Sequence, residues 1–184
     1  TSTTTSYPHG MALMIELDEL GEAMDRSSED PMEWFLDLET GRIELSPPEG
    51  LDELDPDLAR ARVEHPHRFL EIPRIETRKH FAWMEEFTKS IDEDDVRGRL
   101  EHALQGKGAF GRFRGVLRDY PDVSERWFDE HQRHLVHAAE DWLKTLSVDY
   151  IGHRREKAAP RPATSSSKKK VPLRLWHVLL LGAP

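Results

Sequence analysis

The sequence predicts a mainly helical α+β fold in which a small antiparallel β-hairpin sheet with a third short strand packs against four to five helices. β-Prone residues lie on both sides of a glycine near residue 41, and apolar residues beyond residue 80 recur at helical spacing. A proline-, serine- and lysine-rich run after residue 151 has little to bury. The predicted segments are a disordered N-terminal segment at 1–12, a single domain at 13–150, a flexible basic linker at 151–170 and an apolar C-terminal docking peptide at 171–184.

The N-terminal half of the domain holds the predicted strands. A helix is expected over 15–24, because apolar residues recur at positions 13, 17, 20 and 24. The run from Trp34 to Leu45 predicts a β-hairpin in which Gly41 takes the positive φ of the turn. An acidic loop with a short helix is expected over 50–61. Residues 68–73 predict a third strand at a sheet edge, because Pro73 cannot donate to a ladder.

Beyond residue 80 the sequence predicts four amphipathic helices, separated at Asp92, at Gly106–Gly108 and at Pro121. Each is identified by its apolar stripe. The stripes are Phe81, Met84, Phe87 and Ile91; Val96, Leu100, Ala103 and Leu104; Phe110, Phe113 and Leu117; and Phe128, Leu135, Ala139, Trp142 and Leu146.

The charge of the chain is unevenly distributed. Its net charge is −9, which disfavours a general nucleic-acid or anionic-membrane binder, so nucleic acid is retained only as a less favoured partner. Residues 14–64 carry a local charge of −13, whereas residues 97–118 carry +5 and residues 152–170 carry +6. There is no cysteine, which fits a cytoplasmic protein, and no apolar run approaches the ~20 residues of a transmembrane segment.

Several blocks of the sequence occur in an order that resembles bacterial uncharacterised protein family 0158. The blocks are Trp34–Gly41, Arg68–Pro73, Gly106–Arg114, Tyr120–Pro121 with Arg126–Trp127, and Ala139–Leu143. The Gly-Lys-Gly-Ala-Phe motif at Gly106 is the most specific of them, and the resemblance covers roughly residues 13–149. It implies a small intracellular bacterial protein, and it carries over no activity, substrate or site.

The Gly-Lys-Gly-Ala-Phe loop is the candidate anion-binding site. Glycines before a helix let backbone N–H groups face outward, where the helix start adds partial positive charge for a nucleotide or nucleic-acid phosphate. The candidate residues are Gly106, Lys107, Gly108, Arg112 and Arg114. The alternative is a tight helix–helix turn whose glycines serve close packing and whose arginines pair with the acidic half.

No catalytic constellation, metal site or cofactor site is predicted. His131, His134 and His137 lie on one predicted helix, with Glu130 and Asp141 as further donors. Divalent metal sites usually draw ligands from more than one element, and no second element is evident in the sequence. The acidic run 92–95 lies where it would cap a helix. An enzyme with a family-specific site stays open as a less favoured alternative.

The C-terminal peptide is the strongest sign of a protein partner. Its candidate contact residues are Leu173, Leu175, Trp176, Leu179 and Leu180. The peptide would expose more apolar area than soluble monomers usually tolerate, so it must fold back on its own domain, dock on a partner or lie on a membrane. We interpret the chain as a non-enzymatic binding or regulatory protein that acts through protein–protein contacts, with the anion-binding module as the alternative.

Overall fold

The computed structural model of the chain describes residues 12–26, 32–46, 56–146 and 148–155. The predicted docking peptide at 171–184 and most of the predicted N-terminal segment lie outside these residues. Within them the fold is α+β and mainly helical, as the sequence predicts.

The hairpin sheet has three antiparallel strands: β2 (Glu33–Asp37), β3 (Ile43–Ser46) and β4 (Phe69–Glu71). The strand order is β3-β2-β4, so β4 lies at an edge as predicted. Gly41 has a φ of 74° in the β2–β3 turn, a left-handed conformation that favours glycine. The β-prone runs and the turn glycine of the sequence therefore predicted this sheet correctly.

A second sheet was not predicted from the sequence. Strand β1 (Leu13–Glu16) pairs in parallel with β5 (Tyr150–His153), at the other end of the domain. Helix α1 (Leu17–Met24) consequently begins later than the predicted residue 15. Strand β5 continues three residues into the segment that the sequence assigns to the linker. Neither four-residue strand is long enough to show a clear period, and each is stabilised by a partner that is distant in sequence.

Five further helices complete the described fold. They are α2 (Pro56–Glu64), α3 (Thr77–Lys89), α4 (Asp94–Ala103), α5 (Ala109–Asp119) and α6 (Pro121–Thr145). The four helices predicted beyond residue 80 correspond to α3–α6. One stripe residue was placed wrongly, because Phe128 is 38% exposed while its neighbour Trp127 packs inward. The rings of Phe87 and Phe113 both lie 5.1 Å from Trp127, and this contact sets the rotation of α6.

Two hydrophobic clusters make up the core. The first lies around α1 and the second half of α6 and includes Ile15, Leu20 and Leu143. The second joins α3, α4 and α5 and includes Phe87 and Phe113. Trp127 packs against both clusters, so α6 is the element that they share.

Helices α1 and α6 approach closely at Gly21. A Cβ atom on Gly21 would lie 2.9 Å from the carbonyl carbon and the Cβ of Leu135, and backbone atoms cannot rotate away. We expect Gly21→Ala to lower the free energy of unfolding by about 1–3 kcal/mol, since the two helices must separate. Urea denaturation followed by tryptophan fluorescence measures the change.

Gly111 provides the matched control for this substitution. It lies in α5 with no atom within 4 Å of a Cβ built on it. Gly111→Ala should raise the free energy of unfolding by roughly 0.5–1 kcal/mol, because alanine restricts the unfolded chain and favours a helix. Equal effects of the two substitutions would show that close packing at Gly21 is unimportant.

Candidate functional site

The predicted anion-binding loop is a turn between α4 and α5. Gly106 and Gly108 have φ values of 71° and 77°, so both need the left-handed conformation. The Arg112 Nε atom donates to the carbonyl of Ala103 at 3.1 Å, and its terminal nitrogens donate to the carbonyls of Gln105 and Lys107. This arginine satisfies carbonyl oxygens that the end of α4 and the turn leave without helical partners.

The other two cations of the loop differ from Arg112. The side chain of Lys107 is exposed. Arg114 is partly buried and its Nε lies 3.4 Å from the carbonyl of Phe110; burial, with the nearby charge of Arg118, lowers its pKa. The guanidinium of Arg112 is bound to carbonyls of its own turn and not to the acidic half, and no atom lies within 4 Å of a Cβ built on Gly106, so these two residues do not show the acidic pairing or the close packing expected of the tight-turn alternative. Anion binding at this loop stays a prediction.

An exposed apolar pair lies on the β1–β5 sheet. Met14 and Ile151 are opposite each other in the register, and each side chain is 51% exposed. The far edge of β1 is covered by the hairpin turn, because the position of a Cβ on Gly41 lies 2.3 Å from the Met14 carbonyl oxygen. On the β5 side, three of four residues are exposed and no further strand is paired within the described chain. The predicted contact residues of the docking peptide lie outside that part of the chain.

Three ionisable side chains meet where α1, α3 and α6 come together. Asp25 directly follows α1, His80 lies in the first turns of α3, and His131 lies in the middle of α6. The Asp25 Oδ1 atom is 3.5 Å from His80 Nε2 and 3.9 Å from His131 Nε2. One donor atom from each of the three side chains lies within 4.8 Å of the other two. We call Asp25, His80 and His131 the triad.

Burial sets the charge of the triad. The side chains of Asp25, His80 and His131 are 24%, 15% and 20% exposed. Burial, with the repulsion of Glu22, raises the pKa of Asp25 to about 7. Burial lowers the pKa of His80 and of His131 to about 4 in each case, with smaller contributions from Lys79 for the former and from the neighbouring histidines for the latter. Both imidazoles are therefore neutral at pH 7, the form in which histidine binds metal ions.

Aromatic rings form one wall of the triad. The centroid of His131 lies 5.2 Å from that of Trp127 and 5.7 Å from that of Trp83, and the rings of His80 and Trp83 are 5.0 Å apart. His134 is stacked on Trp83 at 4.8 Å. The two indoles are therefore close enough to report a change at the triad through their fluorescence.

The sequence argument considered only donors on the helix of His131, His134 and His137, and the structure places all three on α6. It missed Asp25 and His80, which the fold brings to His131 from two other elements. His137 instead lies on the outer face of α6 at 69% exposure, beside Glu140 and Asp141. No local motif marks Asp25 or His80, because neither lies near His131 in the sequence.

No helix that the structure describes is long and apolar enough to cross a membrane.

The model of an uncharacterised protein family, UPF0158, matches residues 11–163. The match extends beyond residue 149, where the sequence resemblance was expected to end. The chain is also 30% identical to the UPF0158 protein PA5073 of Pseudomonas aeruginosa over 136 residues. The aligned region covers 74% of this chain and 85% of that protein. No solved structure matches the chain.

Proposed function

The chain belongs to uncharacterised protein family 0158, and from that premise we propose that it is a non-enzymatic binding or regulatory protein that acts in the cytoplasm through contacts with another protein. The observation that carries the proposal is the exposed apolar pair of Met14 and Ile151 beside the edge of β5, with which no strand of the described residues pairs. The lack of cysteine supports the compartment.

The β1–β5 sheet has the properties of a docking edge for an extended peptide. Parallel strands are normally covered on both faces, yet this pair exposes Met14 and Ile151 on one face. An exposed strand edge presents backbone donors and acceptors that a partner strand can pair with, and side chains beside that edge provide specificity. We infer that the partner contributes an extended segment with apolar residues at alternate positions.

The opposite face of the same sheet holds the strands in place. A Cβ on Gly152 would lie 2.7 Å from Leu17 Cδ1, so β5 packs directly against the start of α1. The Arg155 amide donates to Asp18 Oδ2 at 2.6 Å, which fixes the end of the strand. A partner would therefore meet an ordered edge, which lowers the entropy lost on binding.

The test uses a charge on the exposed face. Ile151→Lys should reduce partner binding at least tenfold, because a lysine on an edge strand opposes pairing and apolar contact. Val63→Lys is the matched control, since Val63 is 82% exposed on α2 and is not part of this sheet. A photo-crosslinking side chain at position 14, introduced in the native bacterium, captures the partner for identification.

The outcomes separate the proposal from its alternatives. Capture of one protein species that Ile151→Lys abolishes and Val63→Lys preserves supports it. Equal capture in both variants, or crosslinking of position 14 only to the chain's own residues 171–184, overturns it. If truncation after Pro160 alone removes the partner, the C-terminal peptide is the contact instead. Combined Lys107→Ala and Arg112→Ala tests the anion-binding alternative, because it should remove any stabilisation by added phosphate or nucleotide.

A further inference from the structure

We propose that the triad of Asp25, His80 and His131 binds a divalent first-row transition-metal ion of the zinc class through two imidazole nitrogens and one carboxylate oxygen. The three donors come from three separate elements and converge within 4.8 Å. This site is distinct from the β1–β5 edge and does not depend on the proposed protein contact.

The donor spacing is close to that of a bound ion. Metal–ligand bonds of about 2.1 Å in a tetrahedral arrangement place neighbouring donors about 3.4 Å apart. The distances from Asp25 Oδ1 to His80 Nε2 and His131 Nε2 are 3.5 and 3.9 Å. The two imidazole donors lie within 4.8 Å of each other, so ion binding would require them to move closer together.

Packed backbone segments hold the donors. Asp25 is fixed at the end of α1, where its N–H donates to the carbonyls of Gly21 and Glu22. Gly21 is packed against α6 at Leu135, one helical turn beyond His131. Ligands on packed elements lose little freedom when an ion binds, which favours affinity.

The Asp25 carboxyl group is three-quarters buried, and the contacts given for its Oδ1 atom are the two imidazole nitrogens of His80 and His131, at 3.5 and 3.9 Å. All three side chains thus point a donor atom toward the same space. A cation bridging Asp25 and the two histidines would satisfy all three groups together.

The donor set selects the class of ion. Imidazole nitrogens favour zinc, iron, nickel and copper over magnesium and calcium, which require more oxygen donors. The absence of cysteine excludes a thiolate site. Three protein donors leave at least one coordination position, and the 15–24% exposure of these side chains gives water or a small ligand access to it.

Isothermal titration calorimetry with Zn²⁺ tests the proposal, using the full chain without a histidine tag. The visible spectrum of the Co²⁺ complex is the second measurement. We expect one ion per chain, a rise in the melting temperature with Zn²⁺, and quenching of tryptophan fluorescence by Co²⁺, since Trp83 and Trp127 are beside the site. His131→Gln and Asp25→Asn should each weaken Zn²⁺ binding at least 100-fold, because each removes a direct ligand.

His137→Gln is the matched control. His137 Nε2 lies 3.4 Å from Asp141 on the same helix, so this surface pair represents adventitious binding. The proposal predicts a change in affinity of less than about twofold for this variant. Circular dichroism checks the fold of each variant, and Asp25→Asn decides the test if His131→Gln is unfolded. Absence of a ligand-field band with Co²⁺ in the wild type, or equal loss of binding in His137→Gln, overturns the proposal.

Discussion

Replacing Asp37 with alanine is expected to lower the free energy of unfolding by about 3 kcal/mol at pH 7, because it removes a buried carboxylate that accepts charge-assisted hydrogen bonds from Arg68. The Asp37 side chain is 3% exposed, and its two oxygens accept from Arg68 Nε and Nη2 at 2.7 Å each. They also accept from the Thr40 hydroxyl and the Glu39 N–H. The substitution therefore leaves several donors of the hairpin turn and β4 without an acceptor.

The same pair has a defined pH dependence. Burial opposes ionisation of Asp37, but hydrogen bonds from Arg68, Glu39 and Thr40 outweigh it and lower the pKa below its usual value. A carboxyl group with a lowered pKa stabilises the fold above the pKa of the unfolded chain, near 4, and loses this contribution as the pH falls through its folded value. The difference between wild type and Asp37→Asn should thus be constant from pH 5 to 8 and shrink below pH 4.

Glu39 is the control for this prediction. Its carboxylate contacts Arg68 Nη1 but is 67% exposed, and surface pairs of this kind contribute about 0–1 kcal/mol. Urea denaturation of Asp37→Ala, Asp37→Asn and Glu39→Ala at several pH values measures the effects. If Glu39→Ala and Asp37→Ala are equally destabilising, burial does not determine the strength of the pair.

Gly41→Ala is expected to lower the free energy of unfolding by about 3 kcal/mol, because two unfavourable effects combine. An alanine at φ 74° adopts a left-handed conformation, and its Cβ would lie 2.3 Å from the backbone oxygen of Met14. That oxygen belongs to a strand paired with β5, so it cannot shift without breaking the second sheet.

Gly106→Ala separates the two effects. Gly106 has a φ of 71°, but nothing lies within 4 Å of a Cβ built on it. Gly106→Ala should therefore lower the free energy of unfolding only by the cost of the left-handed conformation, about 1 kcal/mol. Chemical denaturation of both variants gives the close-contact contribution as the difference, and a difference near zero would mean that the hairpin turn does not lie against β1.

The features that the sequence predicted correctly are local ones. The hairpin around Gly41 and helices α3–α6 follow from turn residues and apolar periods that are contained within each element. Phe128 shows the limit of a period, because an adjacent residue, Trp127, turned inward once α6 packed against Phe87 and Phe113. Which side chain is buried between two helices depends on how the helices are placed against each other. A stripe of apolar residues in the sequence therefore predicts the buried residue only to within one position.

Features that depend on distant parts of the chain were not predictable in this way. Strand β5 is short and polar at its end, and it is recognisable only beside β1. The triad has the same origin, since Asp25, His80 and His131 share no motif and meet only after three helices pack. The Arg112 contacts have a different origin, because the carbonyls that it binds lie within nine positions of it; the sequence shows that a cation is near the turn but not where its side chain points.

The pairing of β1 with β5 also affects the order in which parts of the chain fold during synthesis. The contact between Asp18 and Arg155 spans 137 positions. A ribosome adding 5–20 residues per second needs roughly 7–27 s between these two points, and β1 has no partner strand throughout that time. Ile15, which is fully buried in the finished domain, lies opposite Gly152 of β5 and lacks that neighbour until β5 is made. A chain that ends before Tyr150 therefore lacks the strand that pairs with β1.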